Sequence, residues 1–212
     1  MRLTKFGHSC LLVEDGGARV LLDPGAFSEG FERLEGLTAV CVTHQHVDHL
    51  DTERLRLVLD HNPGVRVVSD EGSAGALGEA GADVEVVHDG DELDLGGLGV
   101  AVVGRDHAVI HPDLPVIPNV GYLVGGRLFH PGDALTEPGA PVELLAVPAG
   151  APWLKLAEAV DYLRRVGPAV AVPVHELVLS EAGRSIHYRQ LEQLGGEGTR
   201  FTVLDDGKPV EL

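Results

Sequence analysis

The sequence predicts an α/β protein in which helices cover the outer faces of two stacked β-sheets, a four-layer αββα sandwich. Three observations support this fold class. Predicted strands outnumber predicted helices, helical segments occur in both halves of the chain, and the 28 glycines indicate many turns between short elements. We expect one domain over residues 1–212, because this length supports one sizeable core.

The first half of the chain opens with strands joined by tight turns and then alternates between strands and helices. Short apolar runs bounded by turn residues indicate the strands, and helical spacing of apolar residues indicates the helices. Strands are predicted over Leu3–Phe6, Cys10–Val13, Arg19–Leu22, Thr38–Thr43, Val65–Ser69, Val84–Val87, Leu93–Leu95 and Leu98–Val103, and helices over Asp51–Asp60 and Glu71–Ala80.

The second half is dominated by a hairpin and by two further helices. Gly125-Gly126 separates two apolar runs, Asn119–Val124 and Arg127–His130, which is typical of a β-hairpin. The remaining predicted strands are Val142–Val147, Ala169–Val174 and Phe201–Leu204, and the helices are Leu154–Val166 and Glu181–Leu194.

Composition and charge exclude several function classes. The chain carries 33 acidic against 16 basic residues, and a formal charge of −17 repels the phosphates of nucleic acids. No apolar run approaches the ~20 residues of a membrane span, and residues 1–5 lead straight into a strand, so we expect a cytoplasmic protein without membrane contact. Cys10 and Cys41 lie in apolar strands and are expected to be reduced and structural.

The most informative segment is the run His44-Gln45-His46-Val47-Asp48-His49, which follows a buried predicted strand and precedes a helix. Three imidazoles and a carboxylate within six residues are costly to bury without a cation or dedicated hydrogen-bond partners. Imidazole and carboxylate suit zinc, and also iron and manganese. On a turn, His44 and His46 can face one ion while Asp48 and His49 face a second. A solvated polar loop is the alternative interpretation.

This segment resembles the hallmark of the metallo-β-lactamase superfamily, H-x-H-x-D-H after a buried strand. The resemblance covers nearly the whole chain. It is closest to the ascorbate-6-phosphate-lactonase-like branch of small hydrolases, through the G-H-S opening, the N-x-G-Y strand and the P-x-H ending. Besides the hallmark, the segments similar to those of the family are Phe6–Cys10, Leu21–Gly25, Phe129–Asp133 and Val172–His175.

The resemblance implies seven metal ligands. Asp133 would bridge two ions, His175 would complete the second site, and the family places one more histidine after a strand such as Val100–Val103. We choose His107 for that position, with His111 as the alternative four residues on. One metal would then be bound by His44, His46, His107 and Asp133, and the other by Asp48, His49, Asp133 and His175.

Other polar residues have weaker signals. Asp23 could accept a hydrogen bond from a ligating imidazole or could be a simple turn aspartate, and the resemblance to the family's G-H-S turn implies a supporting role for His8. His130 is expected to be a packing residue, His61 and His88 surface residues, and His187 a residue outside the site.

Trp153 and Lys155, which follow the strand Val142–Val147 in the sequence, could line a substrate pocket. Trp153 is the only tryptophan, and Lys155 could attract an anionic group on a small-molecule substrate. The alternative, which we favour, is a tryptophan that packs at the start of a helix.

The resemblance implies hydrolysis of a small-molecule ester, lactone or phosphoester by a hydroxide that bridges two divalent cations, with zinc expected and manganese or iron as alternatives. Asp48 would be the catalytic residue, because it can both bind metal and orient the hydroxide. The alternatives are a mononuclear iron dioxygenase on the same fold and a phosphodiesterase acting on nucleic acids or cyclic nucleotides. Homo-oligomerisation is left open.

Overall fold

The computed structural model describes residues 1–212 and contains fourteen strands and four helices. None of these helices combines the length and the apolar character needed to cross a lipid bilayer. The strands are β1 (Arg2–Lys5), β2 (Leu11–Asp15), β3 (Ala18–Leu22), β4 (Ala39–Val42), β5 (Arg66–Ser69), β6 (Val84–Val86), β7 (Glu92–Asp94), β8 (Gly99–Val103), β9 (Gly121–Val124), β10 (Leu128–His130), β11 (Leu144–Pro148), β12 (Val170–Val174), β13 (Arg200–Phe201) and β14 (Val210–Glu211). The helices are α1 (Thr52–His61), α2 (Ala74–Glu79), α3 (Leu156–Val166) and α4 (Glu181–Leu194).

The strands form two seven-stranded sheets of the same mixed design. Their orders are β14-β1-β2-β3-β4-β5-β6 and β13-β12-β11-β10-β9-β8-β7. One side of each sheet is antiparallel, and the other side, β3 to β6 or β10 to β13, is parallel. Parallel strands end at the same edge of a sheet, so the loops that follow them are brought together there, and ligands bind preferentially at such edges.

Three apolar clusters lie between the layers and pack them together. The largest combines residues of both sheets, such as Leu22 and Leu128, and therefore lies between the sheets. A second cluster packs the first sheet against α1 and α2, and a third packs the second sheet against α3 and α4. This arrangement confirms the predicted αββα sandwich.

Local hydrogen bonding explains where the elements depart from the predicted bounds. The predicted helix Glu71–Ala80 begins only at Ala74, because the carboxylate of Asp70 holds the backbone N–H groups of Gly72 and Ser73 in a turn, at 2.8 and 3.3 Å. Of the last predicted strand, Phe201–Leu204, only Phe201 lies in a strand, since β13 begins at Arg200, and β14 was not predicted.

The two cysteines are buried and free, in agreement with the expectation of reduced structural residues. Burial raises the pKa of both thiols above the ordinary value, since the thiolate would lose its hydration. Neither thiol is therefore reactive at neutral pH.

The buried phenol of Tyr122 links the two sheets. Tyr122 lies on β9, and its hydroxyl donates a hydrogen bond of 2.8 Å to the carbonyl of Val42 at the end of β4. Val42 is the last strand residue before the histidine-rich loop, so this bond fixes the position of that loop relative to the second sheet.

We expect Tyr122→Phe to lower the free energy of unfolding by about 1–2 kcal/mol, because it removes the hydrogen bond from a buried hydroxyl to the Val42 carbonyl. Chemical denaturation measures the change. Tyr188→Phe is the matched control, because among the three tyrosines only Tyr122 and Tyr162 donate a hydrogen bond from the hydroxyl. Equal losses in the two variants would contradict a tether between the sheets.

Candidate metal centre

The four residues of the histidine-rich motif lie in the loop that joins β4 to α1, directly after a fully buried strand. The loop turns tightly because the carbonyl of His46 accepts hydrogen bonds from the backbone N–H groups of His49 and Leu50, at 2.9 Å each. His44 and His49 are fully buried, while His46 and Asp48 are half-buried. The loop therefore carries its polar side chains inward, at the edge of the first sheet.

Three residues from the second sheet meet this loop. His107 follows β8, Asp133 follows β10 and His175 follows β12, and each is buried. The structure thus brings together all seven residues that the resemblance implied. His111, the alternative to His107, lies in the same loop but outside the cluster. Its side chain is 62% exposed and lies next to Asp113.

The Asp133 carboxylate occupies the middle of the cluster. Its Oδ1 lies 3.1 Å from Nε2 of His49, and its Oδ2 lies 3.3 Å from Nε2 of His107 and 3.1 Å from Nε2 of His175. Oδ2 of Asp48 lies 3.2 Å from the same nitrogen of His175. One carboxylate therefore touches imidazoles on both sides, as a carboxylate shared by two cations would.

The ligand atoms divide into two sets, and within each set all atoms lie within 4.8 Å of one another. The first set contains the four residues expected around one metal. The second set contains His8 in addition to the expected residues, and Asp133 lies beside this set through the contacts given above. The sets are His44, His46, His107 and Asp133, and His8, Asp48, His49 and His175.

Several buried atoms of the cluster have no hydrogen-bond partner, although carboxylates and imidazoles approach them closely. These atoms are Nε2 of His49, Nε2 of His107, Nε2 of His175 and Oδ1 of Asp133. Buried polar atoms without partners are rare, because each loses its hydration without compensation. Imidazole nitrogen and carboxylate oxygen are donors that divalent transition metals accept, so the residues present fit a bound cation.

Burial lowers the pKa of three imidazoles, because the charged form would lose its hydration. The pKa of His8 falls to about 4, although the hydrogen bond to Asp48 acts in the opposite direction. The pKa of His44 lies well below its ordinary value through burial and the nearby His49, and burial also lowers the pKa of His46. These side chains are neutral at pH 7, which is the form that binds a metal.

Carboxylates raise the pKa of two imidazoles of the cluster, those of His49 and His175. Burial acts to lower the pKa of His175, but Asp133 and Asp48 raise it to about 9. Burial opposes charge on His49 as well, and Asp133 and Asp23 outweigh it, so that this pKa is also raised. In the metal-free protein these imidazolium groups balance the buried carboxylates, and a bound cation would take over that role.

Asp23 contacts the histidine-rich loop through Thr43 and His49. Its Oδ1 accepts the backbone N–H of Thr43 at 2.8 Å, and its Oδ2 accepts the Thr43 hydroxyl at 2.8 Å and lies 2.7 Å from Nδ1 of His49. Because the Thr43 hydroxyl donates to Asp23, it must accept from Nδ1 of His44, which lies 3.0 Å away. Asp23 is thus the acceptor considered in the sequence analysis, and Thr43 is a second acceptor that no sequence pattern singled out.

Backbone carbonyls hold two further imidazoles in the same way. Nδ1 of His107 lies 2.5 Å from the carbonyl of Ala108, and Nδ1 of His175 lies 2.7 Å from the carbonyl of Gly150. A carbonyl can only accept, so each Nδ1 carries its proton in these bonds. The proton therefore sits on the nitrogen away from the cluster, and Nε2 points toward the centre, as in a ligating imidazole.

His8 holds the catalytic candidate Asp48. The ring is fully buried, its Nδ1 accepts the backbone N–H of Leu177 at 3.3 Å, and its Nε2 lies 3.1 Å from Oδ2 of Asp48. Since Nδ1 is an acceptor, a neutral His8 carries its proton on Nε2 and donates it to Asp48. This supports a positioning role for His8.

Backbone strain is concentrated at this centre. His8, Asp23 and His175, with φ of 46°, 46° and 60°, are the only residues other than glycine with positive φ. Such conformations persist where the surrounding structure enforces them, commonly at functional sites. Gly132, next to Asp133, also has a positive φ of 63°, and a Cβ there would come within 2.3 Å of Asn119 Oδ1.

Trp153 contacts the cluster, contrary to the interpretation that we favoured. Its indole N–H donates a hydrogen bond of 2.8 Å to Oδ2 of Asp133, and its ring centroid lies 6.1 Å from that of His107. Lys155 is exposed, and its ammonium group contacts none of the seven residues. The structure therefore places the tryptophan at the centre and leaves the lysine outside.

The remaining histidines lie where the sequence suggested. His61 and His88 are exposed, and His130 is fully buried with Nε2 3.1 Å from the carbonyl of Ser9. His187 lies against the carbonyl of Ala149 at 2.6 Å and does not belong to either ligand set.

Comparisons with known proteins show the family. A model described as the β-lactamase superfamily domain matches residues 2–175. Protein Rv0786c of Mycobacterium tuberculosis is 51% identical over 99% of both chains, and a UPF0173 protein of Pyrococcus furiosus is 30% identical over 100% of this chain and 98% of its own. The chain therefore belongs to the β-lactamase superfamily and, within it, to the UPF0173 family. A relative from Methanocaldococcus jannaschii, 26% identical over 99% of this chain and 100% of its own, is named a UPF0173 metal-dependent hydrolase.

Solved structures support the fold. Igni18, a metallo hydrolase of Ignicoccus hospitalis, superposes with a TM-score of 0.75 at 20% identity, over 99% of this chain and 97% of its own. CmlA, a diiron β-hydroxylase of Streptomyces venezuelae, gives 0.71 at 18% identity, over 100% of this chain and 54% of its own. The same fold thus serves hydrolysis and oxygenation, and the reaction has to be inferred from the site.

We expect His8→Asn to weaken divalent-metal binding about 10–100-fold, because the shorter side chain no longer holds Asp48 while asparagine tolerates the positive φ. Competition with a chromophoric chelator measures the affinity. His61→Asn, at an exposed position, is the control and should bind metal as the wild type does. Unchanged affinity in a folded His8→Asn protein would rule out the positioning role.

Proposed function

We propose that the protein is a metal-dependent hydrolase that cleaves a small-molecule ester, lactone or phosphoester at a centre of two divalent cations. The observation that carries this proposal is the pair of ligand sets that meet at the buried Asp133 carboxylate. The names of the UPF0173 relatives support the reaction class. The resemblance to the ascorbate-6-phosphate-lactonase-like branch supports lactones as one substrate type.

We assign one ligand set to each cation, with Asp133 shared between them. Zinc is our first choice, and manganese and iron use the same donors. His8 is left out of the ligands, because its Nε2 donates to Asp48. The first cation would be held by His44, His46, His107 and Asp133, and the second by Asp48, His49, Asp133 and His175.

The protein itself orients the attacking water. When bound, two divalent cations lower the pKa of a water molecule toward 7 and stabilise the negative charge that develops on the substrate. The Oδ2 of Asp48 is held by His8 at 3.1 Å and approached by His175 at 3.2 Å. The other oxygen, Oδ1, is left to accept a hydrogen bond from the water, which directs the lone pair of the water toward the substrate.

The alternative functions account less well for the centre. A mononuclear iron dioxygenase needs one ligand set, and the buried Nε2 atoms of His49 and His175 in the second set would then stay without a hydrogen-bond partner. A phosphodiesterase acting on nucleic acids would need cationic side chains around the centre, whereas the formal charge of the chain is −17.

We expect close to two metal ions per chain after reconstitution with zinc. Trp153 is the only tryptophan, and its indole touches Asp133, so its fluorescence should change during the titration and level off at about two equivalents. Elemental analysis of the dialysed protein gives an independent stoichiometry. Fewer than one tightly held ion per chain, with zinc, manganese and iron each supplied, would contradict the two-metal centre.

We expect His46→Ala to lower kcat/KM by more than about a hundredfold, because it removes a ligand, while the metal-free variant stays folded since this side chain is only half-buried. The assay is a screen of a lactone, a thioester and a phosphodiester with the reconstituted protein. His111→Ala, in the same region of the fold but exposed, is the control. Equal turnover by His46→Ala and the wild type would remove His46 from the proposed centre.

A further inference from the structure

A small apolar cavity adjoins the candidate metal centre. It has a volume of about 200 Å³, and the side chains of His46 and His107 form part of its wall. The rest of the wall comes from residues 108–110 and 114–117, which belong to the loop between His107 and β9. A group bound in this cavity would therefore touch two of the proposed ligands of the first cation.

The loop that forms the cavity is held in place. The backbone N–H of His107 donates to the carbonyl of Ile117 at 2.9 Å, and Asp106 pairs with Pro118 as an isolated bridge. Prolines at 112, 115 and 118 restrict the backbone further. A cavity with a fixed wall binds a ligand without an additional ordering cost.

The wall is uncharged and unusually apolar for an exposed region. No Lys, Arg, Asp or Glu lines the cavity. Val109, Ile110, Leu114 and Val116 are 57%, 40%, 52% and 51% exposed, so four of the thirteen large exposed apolar side chains of the chain lie in this one loop. Exposed apolar groups clustered beside a polar centre indicate a binding surface for an apolar partner.

Three further exposed apolar side chains lie next to residues of the centre, in space or in sequence. Phe27 stacks edge-on against His8 with ring centroids 5.2 Å apart, Val47 lies within the histidine-rich motif, and Leu177 follows His175 by two residues. Each of the three apolar side chains is at least 40% exposed. Exposed hydrocarbon therefore lies close to several residues of the centre.

The exposed side chains of Lys155 and Arg105 are not held at the centre to bind an anionic substituent. Lys155 contacts none of the proposed ligands, and the guanidinium of Arg105 is 75% exposed and directed to Asp89. Together with the formal charge of −17, this disfavours a substrate that carries a phosphate outside the scissile bond.

We propose that the cavity binds the uncharged hydrocarbon part of the substrate, so that the enzyme prefers carboxylic esters, lactones or thioesters with a short acyl chain. The inference rests on the proposed hydrolytic function and adds the substrate class. At about 30 Å³ per water-sized atom, the cavity holds roughly six or seven non-hydrogen atoms. Hydrolysis breaks the acyl C–O or C–S bond, water supplies the hydroxyl to the acyl carbon, and the leaving alcohol or thiol takes the proton.

The first test is the dependence of hydrolysis on acyl length. With the metal-loaded enzyme and p-nitrophenyl esters from acetate to decanoate, kcat/KM should rise about threefold per methylene and level off near hexanoate. Leu114→Asp should lower the hexanoate-to-acetate ratio at least about tenfold, because it places a charge in the wall. Leu57→Asp, at a position of α1 that is 47% exposed, is the control and should keep the wild-type ratio.

The second test does not depend on turnover. Binding of 1-hexanol to the metal-free protein should change the fluorescence of Trp153, which lies against His107, and should be at least about fivefold weaker in Leu114→Asp than in Leu57→Asp. This measurement separates failure of the cavity from failure of the proposed function. If hexanol binds as expected but no ester, thioester or phosphoester is cleaved, the hydrolytic function fails, and with it the assignment of a substrate to the cavity.

Three other results would overturn the cavity proposal while leaving hydrolysis intact. The first is turnover that does not depend on acyl length. The second is a preference for phosphodiesters over every carboxylic ester. The third is a change in oligomeric state by Leu114→Asp in size-exclusion chromatography without an effect on acyl selectivity, which would make this surface a contact between copies of the chain.

Discussion

The structure depends on one buried carboxylate, that of Asp133, which lies between imidazoles of both ligand sets. A buried anion surrounded by histidines is costly unless positive charge compensates it. In the metal-free protein, the pKa values of His49 and His175 are raised, and the protonated imidazoles supply that charge. Two divalent cations would supply it permanently, and they would also give partners to the nitrogens that now have none.

The strand order of the sandwich brings the residues around Asp133 together. Each sheet ends its parallel strands at one edge, and the loops after β3, β4, β10 and β12 meet there. This arrangement includes backbone strain at His8, Asp23 and His175, which have positive φ. The side chain of each of these residues makes a hydrogen bond to the backbone of a neighbouring loop.

Much of the fold and of the centre could be predicted from the sequence, because their signals are local. The H-x-H-x-D-H spacing after an apolar run indicated the loop after β4, and turn residues with apolar runs indicated most strands. The spacing could not choose between His107 and His111, because both lie in one loop and only the packing of the second sheet separates them. The two-residue strand β14 is too short to give any pattern.

The residues around the ligands were harder to predict for a different reason. His8 and Asp48 are 40 positions apart, and Trp153 and Asp133 are 20 apart, so no periodicity connects them. Only the meeting of loops from different strands brings the indole N–H to the shared carboxylate. The expectation for Lys155 had a similar limit, since a positive charge in the sequence does not show where its side chain points.

The fold alone leaves the chemistry open, because a metallo hydrolase and a diiron hydroxylase share it. The names of the UPF0173 relatives favour hydrolysis, and the cavity beside the centre, which is lined by no Lys, Arg, Asp or Glu, favours an apolar acyl substrate. The most direct measurement is X-ray diffraction from zinc-loaded crystals on both sides of the zinc absorption edge. We expect two anomalous peaks per chain with Asp133 between them, and a single peak, or peaks away from these side chains, would contradict the two-metal centre.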